Sequence, residues 1–105
     1  MDLMAETLPH PTREEIRIDA VLHALADPVR LQIVRALAEL GTGIACGAIE
    51  LPITKSTRTH HLRILREAGV TWVRPEGTTR ITQLRREDLD ALFPGMLDGI
   101  LAAPR

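Results

Sequence analysis

A chain of 105 residues with 45% apolar side chains suits one domain with a modest core, and no run of about twenty apolar residues and no basic, apolar leader points to a membrane span or export, so a cytoplasmic protein is expected. A single cysteine excludes an internal disulfide and a thiolate-rich metal centre, while one tryptophan and one phenylalanine leave too few rings for stacking single-stranded bases. The net charge of -1 hides an asymmetry, because residues 55–86 carry Lys55, Arg58, Arg63, Arg66, Arg74, Arg80, Arg85 and Arg86 against only Glu67 and Glu76, which predicts one positive face for a polyanionic partner on an otherwise acidic molecule.

Residues 1–13, with Pro9 and Pro11 and no periodicity over the first eleven, read as a flexible N-terminal arm ahead of a folded unit over 14–103. From Glu14 the pattern turns helical, with Ile18, Val21, Leu22 and Leu25 on one stripe. Asp27-Pro28 restarts the chain: the carboxylate caps free N–H groups, and proline at the first helical position loses no hydrogen bond. The second helix is predicted from Pro28 to about Leu40, closed by Gly41-Thr42-Gly43. Ala45 to Glu50 reads as a short helix, and Leu51-Pro52-Ile53 as a turn. Thr54 caps a third long helix over Lys55–Ala68 that turns His61, Leu62, Leu65 and Ala68 inward and is stopped by Gly69. The period then shortens: Val70–Arg74 and Thr79–Leu84 are β-branched strands about the turn Pro75-Glu76-Gly77-Thr78. Such a hairpin must lean on the helices. From Glu87, the stripe Leu89, Leu92, Phe93, Met96, Leu97, Ile100 and Leu101 predicts a last helix, kinked or split at Pro94-Gly95.

The fold class is therefore mainly α with a β-hairpin wing, in the order α-α-α-α-β-β-α of a winged helix-turn-helix. A helix about 10–12 Å across fits the major groove of duplex DNA, and short side chains on its first turns allow close approach to base edges. Flanking arginines neutralise phosphates, which positions the protein without specifying sequence.

The segments ALADPVRLQIVRAL and STRTHHLRILREAGV, followed by a hairpin with Glu76-Gly77 at its turn, resemble the ArsR/SmtB-type bacterial transcriptional repressors over about residues 15–103. The resemblance implies a homodimer joined by its first and last helices, bound to an imperfect palindrome in double-stranded DNA near its own promoter and released by an effector that the sequence does not identify. It assigns DNA contacts to Lys55, Ser56, Thr57, Thr59, His60 and Arg63 on the third long helix and to Arg74, Thr78 and Arg80 in the wing. Arg58 stands where the family usually has an apolar residue, and adds a contact or is carried at the surface. Ile18, Val21, Leu22, Leu25, Leu92, Phe93, Met96, Leu97, Ile100 and Leu101 are the expected dimer interface. A nucleoid-associated place in the cytoplasm follows.

Adjacent helical histidines project about 100° apart, so His60 and His61 are poorly set to share one ion, and the reading splits them: His60 outward to DNA, His61 inward to the core. His10 falls in the arm and His23 on the exposed or interfacial side of the first helix. The family's metal sensors resemble one another in a cysteine pair on the short helix or an Asp/His set on the last; this chain has Cys46 alone, and Asp88, Asp90 and Asp98 with no histidine after His61. No metal and no cofactor is expected, and Asp88 and Asp90 are assigned to the positive N-terminus of the last helix. Near a helix start, Cys46 is a candidate redox residue with a lowered thiol pKa, or simply a small buried hydrophobe. No catalytic set is apparent, and an enzyme is not expected. Two other readings stay open: a winged-helix module that binds an acidic protein, and a DNA-binding redox sensor acting through Cys46.

Overall fold

Helix α1 (Ile18–Leu25) and helix α2 (Pro28–Leu40) meet at Asp27, whose carboxylate accepts from the N–H groups of Val29 and Arg30 at 2.9 and 3.0 Å, in a computed structural model that describes residues 8–104. Proline follows at the first helical position, where its missing N–H is no loss. Gly41 closes α2 at φ 70, a left-handed conformation that glycine adopts without steric penalty.

The first helix begins later than its apolar pattern suggests. A single 3-10 turn occupies Arg13–Glu15, and Ile16 follows in extended geometry. Ile16 is buried against the Gly69 turn, which pulls the chain out of helical register before Ile18.

The short helix expected over Ala45–Glu50 is reduced to a single 3-10 turn. Ile44–Ala45 instead forms a strand, β1, followed by one 3-10 turn over Cys46–Ala48. β1 pairs antiparallel with β3, Ile44 opposite Thr82 and Ala45 opposite Ile81, so a remote strand supplies the hydrogen bonds that a helix would have made locally. Gly43 permits the approach, since a Cβ there would collide with the Ile81 side chain.

Helix α3 (Lys55–Ala68) is capped by Thr54, whose hydroxyl accepts from the Thr57 N–H at 3.2 Å, and ends at Gly69 with φ 87. Leu62, Leu65 and Ala68 are buried on its inner face. The hairpin that follows is longer than its β-branched stretches imply. β2 (Thr71–Glu76) and β3 (Thr79–Leu84) stay in register up to Glu76 opposite Thr79, leaving a two-residue turn at Gly77-Thr78. Pro75 lies inside β2 at no cost to a ladder, because the strand order β1-β3-β2 makes β2 an outer strand.

The last helical stretch is split. α4 (Arg86–Leu92) and α5 (Met96–Ala102) are separated at Phe93–Gly95, with Gly95 at φ 81. Asp88 lies in the first turn of α4 and also pairs with Arg13 and Arg85, while Asp90, farther along the helix, pairs with Arg86, which also binds Asp98. Arg35 of α2 donates to the Ala103 carbonyl and ties down the end of α5. Val21, Val34, Leu37, Leu65, Leu89 and Leu97 form the centre of the common core, each no more than 1% exposed.

Candidate nucleic-acid interface

The first two turns of α3 project outward at a corner of the molecule. Lys55, Ser56, Thr57, Thr59, His60 and Arg63 are all exposed. The threonines are partly occupied: Thr57 joins the Thr54 hydroxyl at 2.9 Å, and Thr59 returns its hydroxyl to the Lys55 carbonyl at 3.0 Å. Both hydroxyls are thereby oriented, while the Lys55, His60 and Arg63 side chains extend from the same helix. Arg58 is half-buried and reaches back to the Ile49 carbonyl at 3.5 Å, toward the turn that precedes α3.

Sheet geometry divides the two wing arginines. Arg80 lies opposite Pro75 and shares the face of Val73 and Thr82, which looks toward α3. A cleft of about 180 Å³ there is lined by Thr59, Leu62, Arg63 and Arg66 of α3, Val73 and Arg80 of the hairpin, Cys46 and Leu8. Arg74, opposite Ile81, lies on the other face, where its guanidinium meets Glu76 at 3.3 Å. Thr78 stands exposed in the turn itself. Arg80, Arg63 and Thr59 are thus brought together, and Arg74 is turned away from them.

The positive face is narrower than the count of basic residues implies. Arg66 is 8% exposed and Arg85 2%, and both donate to backbone carbonyls, of Pro9 and Pro11 respectively. The Arg85 guanidinium also covers the Trp72 ring at 3.6 Å. Arg86 is engaged by Asp90 and Asp98. Three of the cations between residues 55 and 86 therefore serve the fold, leaving Lys55, Arg58, Arg63 and Arg80 as the basic groups near α3 and the inner face of the wing. A second, larger groove of about 550 Å³ between α2 and α4 offers no free cation, since its Arg13, Arg85 and Arg86 all pair with carboxylates.

The two histidines diverge. His60 is exposed, whereas the His61 side chain is 12% exposed, with Nδ1 3.1 Å from Arg30 and 3.8 Å from Asp27. A guanidinium only donates, so the His61 Nδ1 accepts from Arg30. Arg30 itself is buried and closes the end of α1, donating to the carbonyls of Ala24 at 2.6 Å and His23 at 3.4 Å. That role escaped the sequence reading, although Asp-Pro-x-Arg was the visible signal. The expected interface residues also divide. Val21, Leu25 and Leu97 are in the core of the subunit itself and present nothing to a partner; Ile18 and Leu22 are 41% and 48% exposed; Leu92, Phe93, Met96, Ile100 and Leu101 are half-buried. Burial pushes the Cys46 thiol up, with Arg80 and Arg58 pulling only weakly the other way, so the lowered pKa expected of a reactive thiol is not what this position provides.

Residues 27–70, from the Asp27 cap to the end of α3, match the bacterial regulatory protein family named for arsR. Over 80 residues the chain is 35% identical to the uncharacterized HTH-type transcriptional regulator YceK of Bacillus subtilis, spanning 74% of this chain and 80% of that one. It is 34% identical to the HTH-type transcriptional regulator Rv2034 of Mycobacterium tuberculosis, over 77% of this chain and 82% of the relative. The crystal structure of the transcriptional repressor BigR from Xylella fastidiosa superposes with a TM-score of 0.58 at 26% identity, covering 72% of this chain and 85% of BigR. With an outward helix, a wing and these relatives, the chain belongs to the ArsR family of winged helix-turn-helix proteins and is a DNA-binding transcriptional regulator.

Proposed function

We propose that the protein acts as a homodimeric repressor on an imperfect palindrome in double-stranded DNA, with α3 in the major groove and the inner face of the wing on the neighbouring backbone. The observation that carries this is the convergence of Arg63 and Arg80 on one cleft beside the exposed first turns of α3. In this reading Lys55, Ser56, Thr57, Thr59 and His60 face base edges and the nearest phosphates, and Arg63 and Arg80 hold phosphates on either side. Thr78 at the hairpin tip touches the backbone, and Arg58 and Arg74 are peripheral. Dimerisation is supported by the apolar side chains of Ile18 and Leu22, one turn apart on α1 and exposed to solvent in the single subunit. Two subunits related by a twofold axis would read two half-sites about one helical turn apart. That BigR is a repressor supports the sign of regulation. Release by an effector belongs to the same reading.

The test is fluorescence anisotropy with a duplex from upstream of the gene and a scrambled duplex, over a salt series. The native duplex is expected to bind more tightly, and Arg63→Ala and Arg80→Ala are each expected to lower the salt slope by roughly 0.9 per subunit, one phosphate contact each. His60→Ala is expected to change which duplexes are preferred. Equal, weak binding to both duplexes would overturn the proposal.

A further inference from the structure

Residues 8–13 lie across the junction of α3, the hairpin and α4 without belonging to any of them. The Pro9 carbonyl accepts from Arg66 at 3.1 Å, the Val73 N–H donates to the His10 Nε2 at 2.9 Å, the Pro11 carbonyl accepts from Arg85 at 2.8 Å, and Arg13 binds Asp88 at 2.6 Å. Leu8 enters the cleft between Arg63 of α3 and Arg80 of the wing. The His10 ring stands 5.1 Å from that of Trp72, inclined by 56°.

One of these bonds depends on protonation. β2 is an outer strand, so its outward N–H groups have no ladder partner, and the His10 lone pair satisfies the one at Val73. Only a neutral imidazole has that lone pair; in the protonated ring both nitrogens donate, and an N–H would face an N–H. The charged groups that bear on the ring are both cations, Arg66 from α3 and Arg85 from the start of α4. Their nearby carboxylates, Glu67 and Asp88, are paired to those arginines.

We propose that His10 is a positioning residue whose neutral form straps the wing to α3, and that its protonation loosens the strap and weakens duplex binding. The second half rests on the assignment of Arg63 and Arg80 to the DNA made above. Burial, reinforced by repulsion from Arg66 and Arg85 and opposed by a hydrogen bond at the Leu8 backbone, holds the ring below the usual histidine value of about 6.5. A released or unfolded segment takes up the proton more readily than the strapped one. The strap is therefore complete above about pH 6.5 and is lost as pH falls below it and through the depressed value of the bound ring.

Trp72 is the only tryptophan and sits against His10, so its fluorescence reports the strap without any DNA. Wild-type protein and His10→Gln would be titrated from pH 8 to pH 5 by Trp72 emission and, in parallel, by anisotropy with the upstream duplex. Glutamine keeps an acceptor for Val73 and has no proton to gain. The wild type is expected to change its emission below about pH 6.5 and to lose several-fold in duplex affinity over the same window, while His10→Gln flattens the emission titration and removes that loss. An emission titration unchanged in His10→Gln would overturn the strap, and a pH-dependent loss of affinity that survives the substitution would overturn its effect on binding. If no duplex binds at any pH, the DNA assignment and the second half of the proposal fall, and the emission titration alone decides the strap.

Discussion

Arg30 illustrates how a charged side chain becomes a structural part. It lies 8% exposed, closes the end of α1 through the Ala24 and His23 carbonyls, and holds the His61 ring from the start of α2. Replacing it by alanine leaves the Ala24 carbonyl and the His61 ring nitrogen without the guanidinium, while the His23 carbonyl keeps the Ala26 N–H, so Arg30→Ala is expected to cost about 2 kcal/mol by denaturant unfolding. Arg30→Lys should recover little of that, because one ammonium lacks the planar fork that reaches three acceptors. Thr71 and Thr82 present the converse case. Both are fully buried on the inner face of the hairpin, and neither hydroxyl meets a partner among the described residues. Thr82→Val keeps the shape and removes a desolvated hydroxyl, so the unfolding free energy should stay level or rise by up to about 1 kcal/mol. A loss larger than that would show that the hydroxyl is bonded in solution.

Helix α3 is a well-bounded element, and its two ends are fixed by different physics. Its start is local: the Thr54 hydroxyl satisfies an N–H that the first turn leaves free. Its end is tertiary as well as local, because Gly69 is left-handed at φ 87 and a Cβ there would stand 2.5 Å from Ile16 and 3.3 Å from Pro11. Gly77 in the hairpin turn is left-handed too, at φ 62, with open space around it. Gly77→Ala should therefore cost only the backbone penalty of about 1–2 kcal/mol, and Gly69→Ala that penalty plus the displacement of Ile16, a further 1 kcal/mol or more by order of magnitude. Chemical denaturation of both variants checks the difference. Because Ile16 and Pro11 belong to the N-terminal segment, Gly69→Ala should also disturb the Trp72 environment, which Gly77→Ala should not.

Among the described residues, the subunit exposes apolar side chains on α1 and positive charge on α3 and the wing, and the proposed function uses both. Ile18 and Leu22 share a face of α1, and covering that face with a twofold copy is the proposed use of it. Leu22→Glu places a carboxylate there and should shift the protein to half its mass in sedimentation, with its thermal unfolding otherwise cooperative. A dimer unaffected by Leu22→Glu would move the interface elsewhere. The same variant should weaken operator binding far more than binding to nonspecific DNA, since only two linked half-sites read a palindrome.

Local chemistry was written plainly in the chain. Asp27-Pro28, Thr54, Gly41 and Gly69 announce helix boundaries, and each is used as expected, because capping and left-handed backbone depend on a few neighbouring atoms. The Asp-Pro-x-Arg and His-Leu segments carried the family, and the outward face of α3 followed from a 3.6-residue period. Contacts between distant segments were not legible in this way. Ile44–Ala45 is a strand because β3 lies beside it, and two residues, even with a β-branched Ile44, carry too little local preference to announce that pairing. Arg66 and Arg85 look like a polyanion surface and are buried against carbonyls and an indole contributed from elsewhere in the chain, while Arg86 stays at the surface but is neutralised there by Asp90 and Asp98. Arg74 and Arg80 looked equivalent near the hairpin tip until the strand register put them on opposite faces. Periodicity states which side of an element is apolar, and only the packed fold states what each polar side chain meets there, because a charge is neutralised by whatever lies within a few ångströms in space rather than in sequence.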